Sequence, residues 1–342
     1  MRIAFTICTN NYLSMARASA ASFLEHNPGY AFYIGIIDKF DEKLAPWYQG
    51  YKMVYADELE LPFLLEMAQK YNITELSCAM KAFFCDYIMK KETEAEEILY
   101  LDSDLYFYSP LSELPHLHKE YDILLTPHII WPMKFDGKQP DEIAYLATGT
   151  YNGGFFSVKK NENSKRFMEW WCNRMRDYCY YKLTDGLFVD QKWLNLVPVF
   201  FDKVGLIKHP GYNISYWNLH ERNITINNNG YIVNGSFPLV FFHYSSINLK
   251  DGILFYKQQN RFNEGSLPLV KELFLRYRGR VYEEGYEATR FATSYFAEIH
   301  KHYSTALLKK SFTGRIKLWI KNNVPASTRN KLKNRLKGML GS

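Results

Sequence analysis

Two carboxylates stand one residue apart in Leu101-Asp102-Ser103-Asp104, directly after the apolar run Ile98-Leu99-Tyr100. An uninterrupted apolar run reads as a strand buried on both faces, the usual state in a parallel sheet. Ligands of open α/β sheets bind beyond the carboxyl ends of such strands. Both side chains are hard oxygen donors, and two at this spacing suit Mg²⁺ or Mn²⁺, which in turn neutralises a diphosphate. The letters alone carry little weight, because Asp-x-Asp recurs by chance and a solvated turn would read the same way. The aromatic wall that follows, Tyr106-Phe107-Tyr108, is not what a polar surface turn needs.

Four other stretches carry chemistry-bearing residues. In Asn152-Gly153-Gly154 two glycines precede a strand, so backbone can approach a ligand closely or make a tight turn. Asp190-Gln191 precedes a periodic apolar run, where Asp190 suits an N-cap and can also face a cleft. Tyr216-Trp217-Asn218 mixes aromatic and amide groups, the combination by which carbohydrate is stacked and hydrogen-bonded; core packing of the aromatics is equally consistent. Lys81 falls in the first turn of a helix expected over residues 78–90. A cation there opposes the helix dipole, which points to another task for it.

These residues need a frame. Residues 2–9 read as a strand, 12–26 as a helix that Asn10 or Asn11 can cap, Asn27-Pro28-Gly29 as its stop, and 31–37 as a second strand ending at Asp38. This β-α-β opening belongs to a doubly wound sheet. It lacks a Gly-x-Gly-x-x-Gly loop, so a dinucleotide cofactor is not expected. Further strands are expected at 52–55, 123–126, 197–201, 205–208 and 239–242, and helices at 61–70, 163–176, 267–278 and 287–308. Residues 127–146, broken by Pro132, Gly137 and Pro140, read as a loop beside the cleft.

The 342 residues suffice for one large domain, and aromatic content is high at 17%. Five cysteines, an odd number with no Cys-x-x-Cys pair, read as free thiols in a reducing compartment. The apolar run at the N-terminus ends by Cys8, too short for a signal peptide, and no run approaches a membrane span. A cytoplasmic protein is expected. The net charge of +6 is a property of the end of the chain: residues 305–342 hold seven Lys, three Arg and no acidic residue, and without those ten charges the remainder carries −4. Leu308, Phe312, Ile316 and Trp319 recur there at helical spacing among lysines. Basic amphipathic segments suit anionic lipid surfaces, so peripheral attachment to the inner face of the plasma membrane is expected, and nucleic acid is not.

Leu101-Asp102-Ser103-Asp104 resembles the Asp-x-Asp motif of GT-A-fold glycosyltransferases, in particular the retaining glycogenin and lipopolysaccharide galactosyltransferase family. The resemblance extends over about residues 1–250. It implies an α/β fold, a GT-A-like single Rossmann-type mixed sheet flanked by helices, followed by a helical extension over 251–304 and the basic tail over 305–342. It implies transfer of a sugar from a nucleotide-diphosphate sugar to a hydroxyl of a glycan or lipid-linked glycan, with Mn²⁺ or Mg²⁺ as cofactor. Residue by residue, it places Asp102, Asp104 and His243 on the metal. It places Thr9, Asn10, Asn11, Asp38, Lys81, Asp102, Ser103, Asn152, Gly153 and Gly154 on the donor. Asp190 and Gln191 fall beside the reacting carbon, and Trp217 and Asn218 towards the acceptor. One motif departs from the family: His243-x-x-Ser246 lacks the glycine of His-x-x-Gly-x-x-Lys, and Lys250 comes one residue late. A sugar-phosphate nucleotidyltransferase would share fold and metal but needs a Gly-rich basic loop after the first strand, which Thr9–Ala16 is not. An inactive glycan-binding protein would not need Asp102, Asp104 and Asp190 together.

Overall fold

The computed structural model describes residues 1–310 apart from 229, 253, 255–258 and 264. In chain order the strands are β1 Arg2–Cys8, β2 Tyr30–Ile36, β3 Lys52–Tyr55, β4 Glu97–Leu101, β5 Leu105–Phe107, β6 Ile123–Pro127, β7 Tyr151–Lys159, β8 Tyr181–Lys182, β9 Leu187–Phe188, β10 Val204–Leu206, β11 Ile224–Asn227, β12 Gly230–Val233, β13 Phe237–Pro238 and β14 Phe241–His243. The α-helices are α1 Leu13–His26, α2 Leu64–Lys70, α3 Ile73–Lys91, α4 Leu114–Leu117, α5 Glu142–Thr148, α6 Glu162–Tyr178, α7 Val197–Phe200, α8 Pro268–Glu283, α9 Tyr286–Thr289 and α10 Tyr295–Lys310.

Seven strands form one mixed sheet in the order β10-β6-β7-β4-β1-β2-β3. β3, β2, β1 and β4 run parallel, and β7 is antiparallel to both β4 and β6. Alternation along a strand sends successive side chains to opposite faces. Ile3, Phe5, Ile98 and Tyr100 pack with α3 residues such as Met80 and Phe84 and with Trp171 of α6. Ala4, Cys8, Leu99 and Leu101 pack with Leu13, Ala16, Ala20 and Phe23 of α1. β4 is therefore buried along its whole length, as its apolar run predicts. A third cluster joins Tyr106 and Phe242, from the β5–β14 ladder, to Phe274, Tyr277 and Val281 of α8.

Several boundaries differ from the sequence reading, each for a local reason. α3 starts at Ile73, five residues before the expected start, because Asn72 and Glu75 form a full capping box: Asn72 Oδ1 accepts from the Glu75 N–H at 3.1 Å and the Glu75 carboxylate accepts from the Asn72 N–H at 2.9 Å. Lys81 thus lies in the third turn, and the argument from the helix dipole does not apply to it. Neither Asn10 nor Asn11 caps α1; both sit in a 3₁₀ turn, Asn10–Tyr12, that precedes it. Residues 197–200 are helical rather than extended, with Pro198 in the first turn where it loses no hydrogen bond. The segment read as a loop contains α5, whose N-terminus Asp141 caps through the Ala144 N–H at 3.0 Å. The helix expected over 287–308 is two, α9 and α10, separated by residues 290–294. The hairpin of β11 and β12 was not expected. Among the described residues no helix is long and apolar enough to cross a membrane. Phe312, Ile316, Trp319 and the rest of 311–342 lie outside the described residues.

Candidate active site

β4 ends at Leu101 and the chain turns at once: the Asp102 N–H donates to Gly154 O at 2.8 Å and the Leu105 N–H to Asp102 O at 3.2 Å. β5 then pairs with β14 in the register that sets Leu105 opposite His243. Two ladders, neither contiguous in sequence, therefore bring Asp102, Asp104 and His243 together, with one donor atom from each lying within 4.8 Å of the others. His243 Nε2 is 3.1 Å from Asp104 Oδ1 and 3.8 Å from Asp102 Oδ2. The other ring nitrogen, Nδ1, meets Asn213 Oδ1 at 3.1 Å, which fixes the ring so that Nε2 faces the carboxylates. Burial would lower the pKa of His243, but Asp104 outweighs it and the net direction is upward.

Gly154 closes the back of this cluster. A Cβ there would lie 2.6 Å from His243 Cε1 and 2.7 Å from Asp102 Oδ2. Gly153 is constrained in the same way, because its Cβ would meet Asp190 Oδ2 at 2.6 Å. The two glycines are thus required by close approach, one to each half of the site. Two hard carboxylates and one imidazole, converging on a pocket that any side chain at residue 154 would fill, fit a divalent cation.

Lys81 reaches the site from the middle of α3. Its Nζ lies 3.0 Å from Asp102 Oδ1, 3.1 Å from Asp190 Oδ2 and 3.1 Å from Gly153 O. Burial alone would lower the Lys81 pKa, yet Asp102 and Asp190 hold it well above its usual value. Asp190, 2% exposed, is pushed up by burial and pulled back by Lys81. It stands at the start of the 3₁₀ turn Gln191–Leu196 but makes no capping hydrogen bond, so its partner is the ammonium and not the helix end. The Tyr100 hydroxyl donates to Asp102 Oδ1, and the Lys81 ammonium sits 5.1 Å over the Tyr100 ring.

Gln191 is held from two sides. Its Nε2 donates to Thr148 O at 3.1 Å, and its Oε1 lies 3.4 Å from both Asn152 Nδ2 and the Gly153 nitrogen. Asn152 Oδ1 accepts from the Gly154 N–H at 3.0 Å, and its Nδ2 is 3.3 Å from His128 Nε2. His128 was missed by the sequence reading. It stacks on Tyr145, meets Trp217 edge-on, and is pushed down to about 4 by burial, with the Thr150 carbonyl opposing. Its only sequence signal is its place one residue past β6. Asn213, which orients His243, carried no signal at all, since its contact depends on β14 lying beside the segment 213–215.

The remaining expected residues fall into two groups. Thr9, Ser103, Lys81, Asp102 and Asp104 line one cavity of about 280 Å³, with Tyr12, Ser77 and Tyr100. Asn10, Asp38, Trp217 and Asn218 are buried; Asn10 lines a separate cavity with Lys39 and Tyr295, and Trp217 Nε1 has no hydrogen-bond partner among the described residues. Asn10 Nδ2 donates to Lys39 O at 3.0 Å and its Oδ1 accepts from the Tyr48 hydroxyl at 2.8 Å. Asp38 accepts from the Asn10 N–H at 3.0 Å and from the Ser294 hydroxyl and Tyr295 N–H at 2.8 Å each. It therefore fastens the start of α10. Asn218 Nδ2 donates to His128 O at 3.0 Å and Asn213 O at 2.9 Å, and Trp217 stacks edge-on against His243 at 5.0 Å. Trp217 thus packs against His243, and Asn218 against the Asn213 that orients it. Asn11 Oδ1 accepts from the Thr9 hydroxyl at 2.7 Å.

No family model matches the chain. It is 29% identical over 216 residues to the uncharacterized protein YfnF of Bacillus subtilis (strain 168), covering 63% of this chain and 71% of that protein. It is 23% identical over 250 residues to the uncharacterized protein YfnD of the same organism, covering 71% and 77%. Among solved structures, the galactosyltransferase LgtC in complex with donor and acceptor sugar analogues matches with a TM-score of 0.50 at 14% identity, covering 82% of this chain and 95% of that one. The likeness establishes the fold: a GT-A-like α/β architecture with one mixed seven-stranded sheet and C-terminal helices.

Proposed function

We propose that this GT-A-like chain is a metal-dependent glycosyltransferase that moves a sugar from a nucleotide-diphosphate sugar to a hydroxyl of a glycan or glycolipid acceptor. The observation that carries the reading is the joining of two clusters across Gly153-Gly154: Asp102, Asp104 and His243 on one side, Lys81 and Asp190 on the other. Transfer breaks the bond between the anomeric carbon and a phosphate oxygen, and negative charge grows on the leaving diphosphate. A divalent cation held by Asp102, Asp104 and His243 would supply Lewis-acid stabilisation of that charge. Lys81 is ion-paired with both neighbouring carboxylates and fixes their positions. The two glycines let a sugar ring approach the backbone above Asp190, whose carboxylate would stabilise positive charge at the anomeric carbon. Gln191 and Asn152, locked to each other and to the backbone, would orient the ring. An inverting enzyme needs a carboxylate free to act as base towards the acceptor. Asp102 and Asp190 are both ion-paired to Lys81, so neither is free for that role, which supports retention.

A thermal-shift panel of nucleotide sugars with Mn²⁺ tests the reading, because a ligand that binds the folded state raises its stability by mass action. One donor should raise the midpoint by several degrees only with the metal present, and should then be consumed. A panel without any metal-dependent shift overturns it.

The membrane part of the reading rests on sequence. Residues 305–342 carry ten basic and no acidic side chains, and each basic residue near an anionic surface is worth about 1 kcal/mol. The full chain should co-sediment with anionic vesicles at low salt and be released at high salt. Absence of binding at low salt overturns this part alone.

A further inference from the structure

We propose that Arg290, on the segment following α9, is the cation that receives the diphosphate of the donor; the inference rests on the reading of the site as a donor-binding centre. A second cavity, of about 420 Å³, is lined by Asn11, Ser246, Asn248, Tyr286 and Arg290 among others. Tyr12 and Asp104 line both cavities, so the two adjoin at Asp104 and can be spanned as one groove. A nucleoside diphosphate lying along it would set its phosphates at Asp104, between the two ends.

Charge decides what must meet them. Asp102, Asp104 and Asp190 carry three negative charges, and a divalent cation with Lys81 offsets three. A diphosphate then adds charge that nothing in the first cavity balances. Lys81 is committed to Asp102, Asp190 and Gly153 O. Among the described residues lining the two cavities, the basic ones are Lys81 and Arg290. Lys250, the residue that the family pattern would put to this use, is exposed, one position late and not part of either lining.

Arg290 is also built for it. Its guanidinium lies 4.0 Å over the Phe291 ring and 5.5 Å over the Tyr286 ring, and its Nε is 2.8 Å from Glu287 Oε2. Stacking and one ion pair hold the plane of the fork, and a planar guanidinium is the group that meets phosphate with two parallel hydrogen bonds. The segment is itself pinned at the cleft: the Thr289 hydroxyl meets Ser14 Oγ of α1 at 3.1 Å, and Ser294 and Tyr295 bind Asp38. The C-terminal helices thus form a wall of the donor groove.

Inorganic pyrophosphate with Mn²⁺ is the probe, since it carries neither base nor sugar. Calorimetric binding would be compared for the full chain and for Arg290→Ala, Arg290→Lys, Glu287→Gln and Asp104→Ala, each with a melting curve. Arg290→Ala should weaken binding by about 10- to 100-fold, the loss of a charge-assisted hydrogen bond, and Arg290→Lys should recover part of it. Glu287→Gln releases the guanidinium from its carboxylate, so binding should hold or tighten; a purely structural role for the pair would make it weaken as Arg290→Ala does. Undiminished binding by Arg290→Ala, with Asp104→Ala inactive as a binder, overturns the assignment and leaves the donor-site reading intact. Failure of the unaltered chain to bind Mn²⁺-pyrophosphate, or equal binding by Asp104→Ala, overturns the reading itself.

Discussion

Lys81 Nζ lies 3.1 Å from Asp190 Oδ2, joining the middle of α3 to the residue that introduces Gln191. The carboxylate is 2% exposed and the ammonium side chain 8%, so the pair is held away from water. Removing one partner of a buried pair leaves an uncompensated charge and costs about 3–5 kcal/mol. Lys81→Met should therefore lower stability by that order, and Asp190→Asn in the same chain should restore much of it. Urea denaturation of the singles and the double variant measures the coupling; additive losses would mean that the pair does not interact.

Asp190→Asn tests the chemical role of the same residue. If its charge acts at the anomeric carbon, kcat falls by about 10²-fold while KM moves little. Steady-state kinetics on the donor found by the thermal-shift panel would show it. A large rise in KM with kcat intact would assign Asp190 to ground-state binding.

Gly154→Ala should fold and hold metal more weakly. The new Cβ would intrude between His243 Cε1 and Asp102 Oδ2, at 2.6 and 2.7 Å. Displaced ligands lower metal affinity by about 10- to 100-fold, as lost supporting contacts do. Mn²⁺ titration followed by electron paramagnetic resonance reads this without any turnover, and unchanged affinity would remove Gly154 from the cradle.

How much of this was legible in the sequence follows from the range of each interaction. β4 and its two carboxylates were readable because an apolar run and its boundary are local. The early start of α3 was readable in principle from Asn72-x-x-Glu75, the pattern of a capping box. The partners of Lys81 were not readable, since they come from β4, β7 and the turn at Asp190. Asp38 looked like a strand-end ligand for a cleft, and besides the Asn10 N–H its partners include Ser294, 256 residues away. Trp217-Asn218 has the composition of a sugar site, but composition does not say which layer a residue occupies. The register between β5 and β14, with Asn213 orienting the ring, decides that His243 meets Asp104.

Stability should depend on pH through His128. Its pKa is pushed down to about 4 from 6.5, first by burial. The unfolded chain takes up the proton near pH 6.5 and the folded chain only near 4. Stability from this group is therefore full above pH 6.5 and is lost as the pH falls towards 4, by about 3 kcal/mol in all. Denaturation midpoints at pH 7.5 and pH 5 should differ less in His128→Gln than in the unaltered chain. An equal difference would mean that other groups carry the acid sensitivity.

The most direct test of the central claim is release of nucleoside diphosphate from the panel's preferred donor, with and without Mn²⁺, by the unaltered chain and by Asp104→Ala. Melting curves would be recorded alongside. Metal-dependent release by the unaltered chain, and a loss of about 10²-fold or more in a variant that melts normally, is the predicted result. Equal rates for the two proteins in Mn²⁺, or release unaffected by chelation, would contradict a metal-centred site at Asp102, Asp104 and His243.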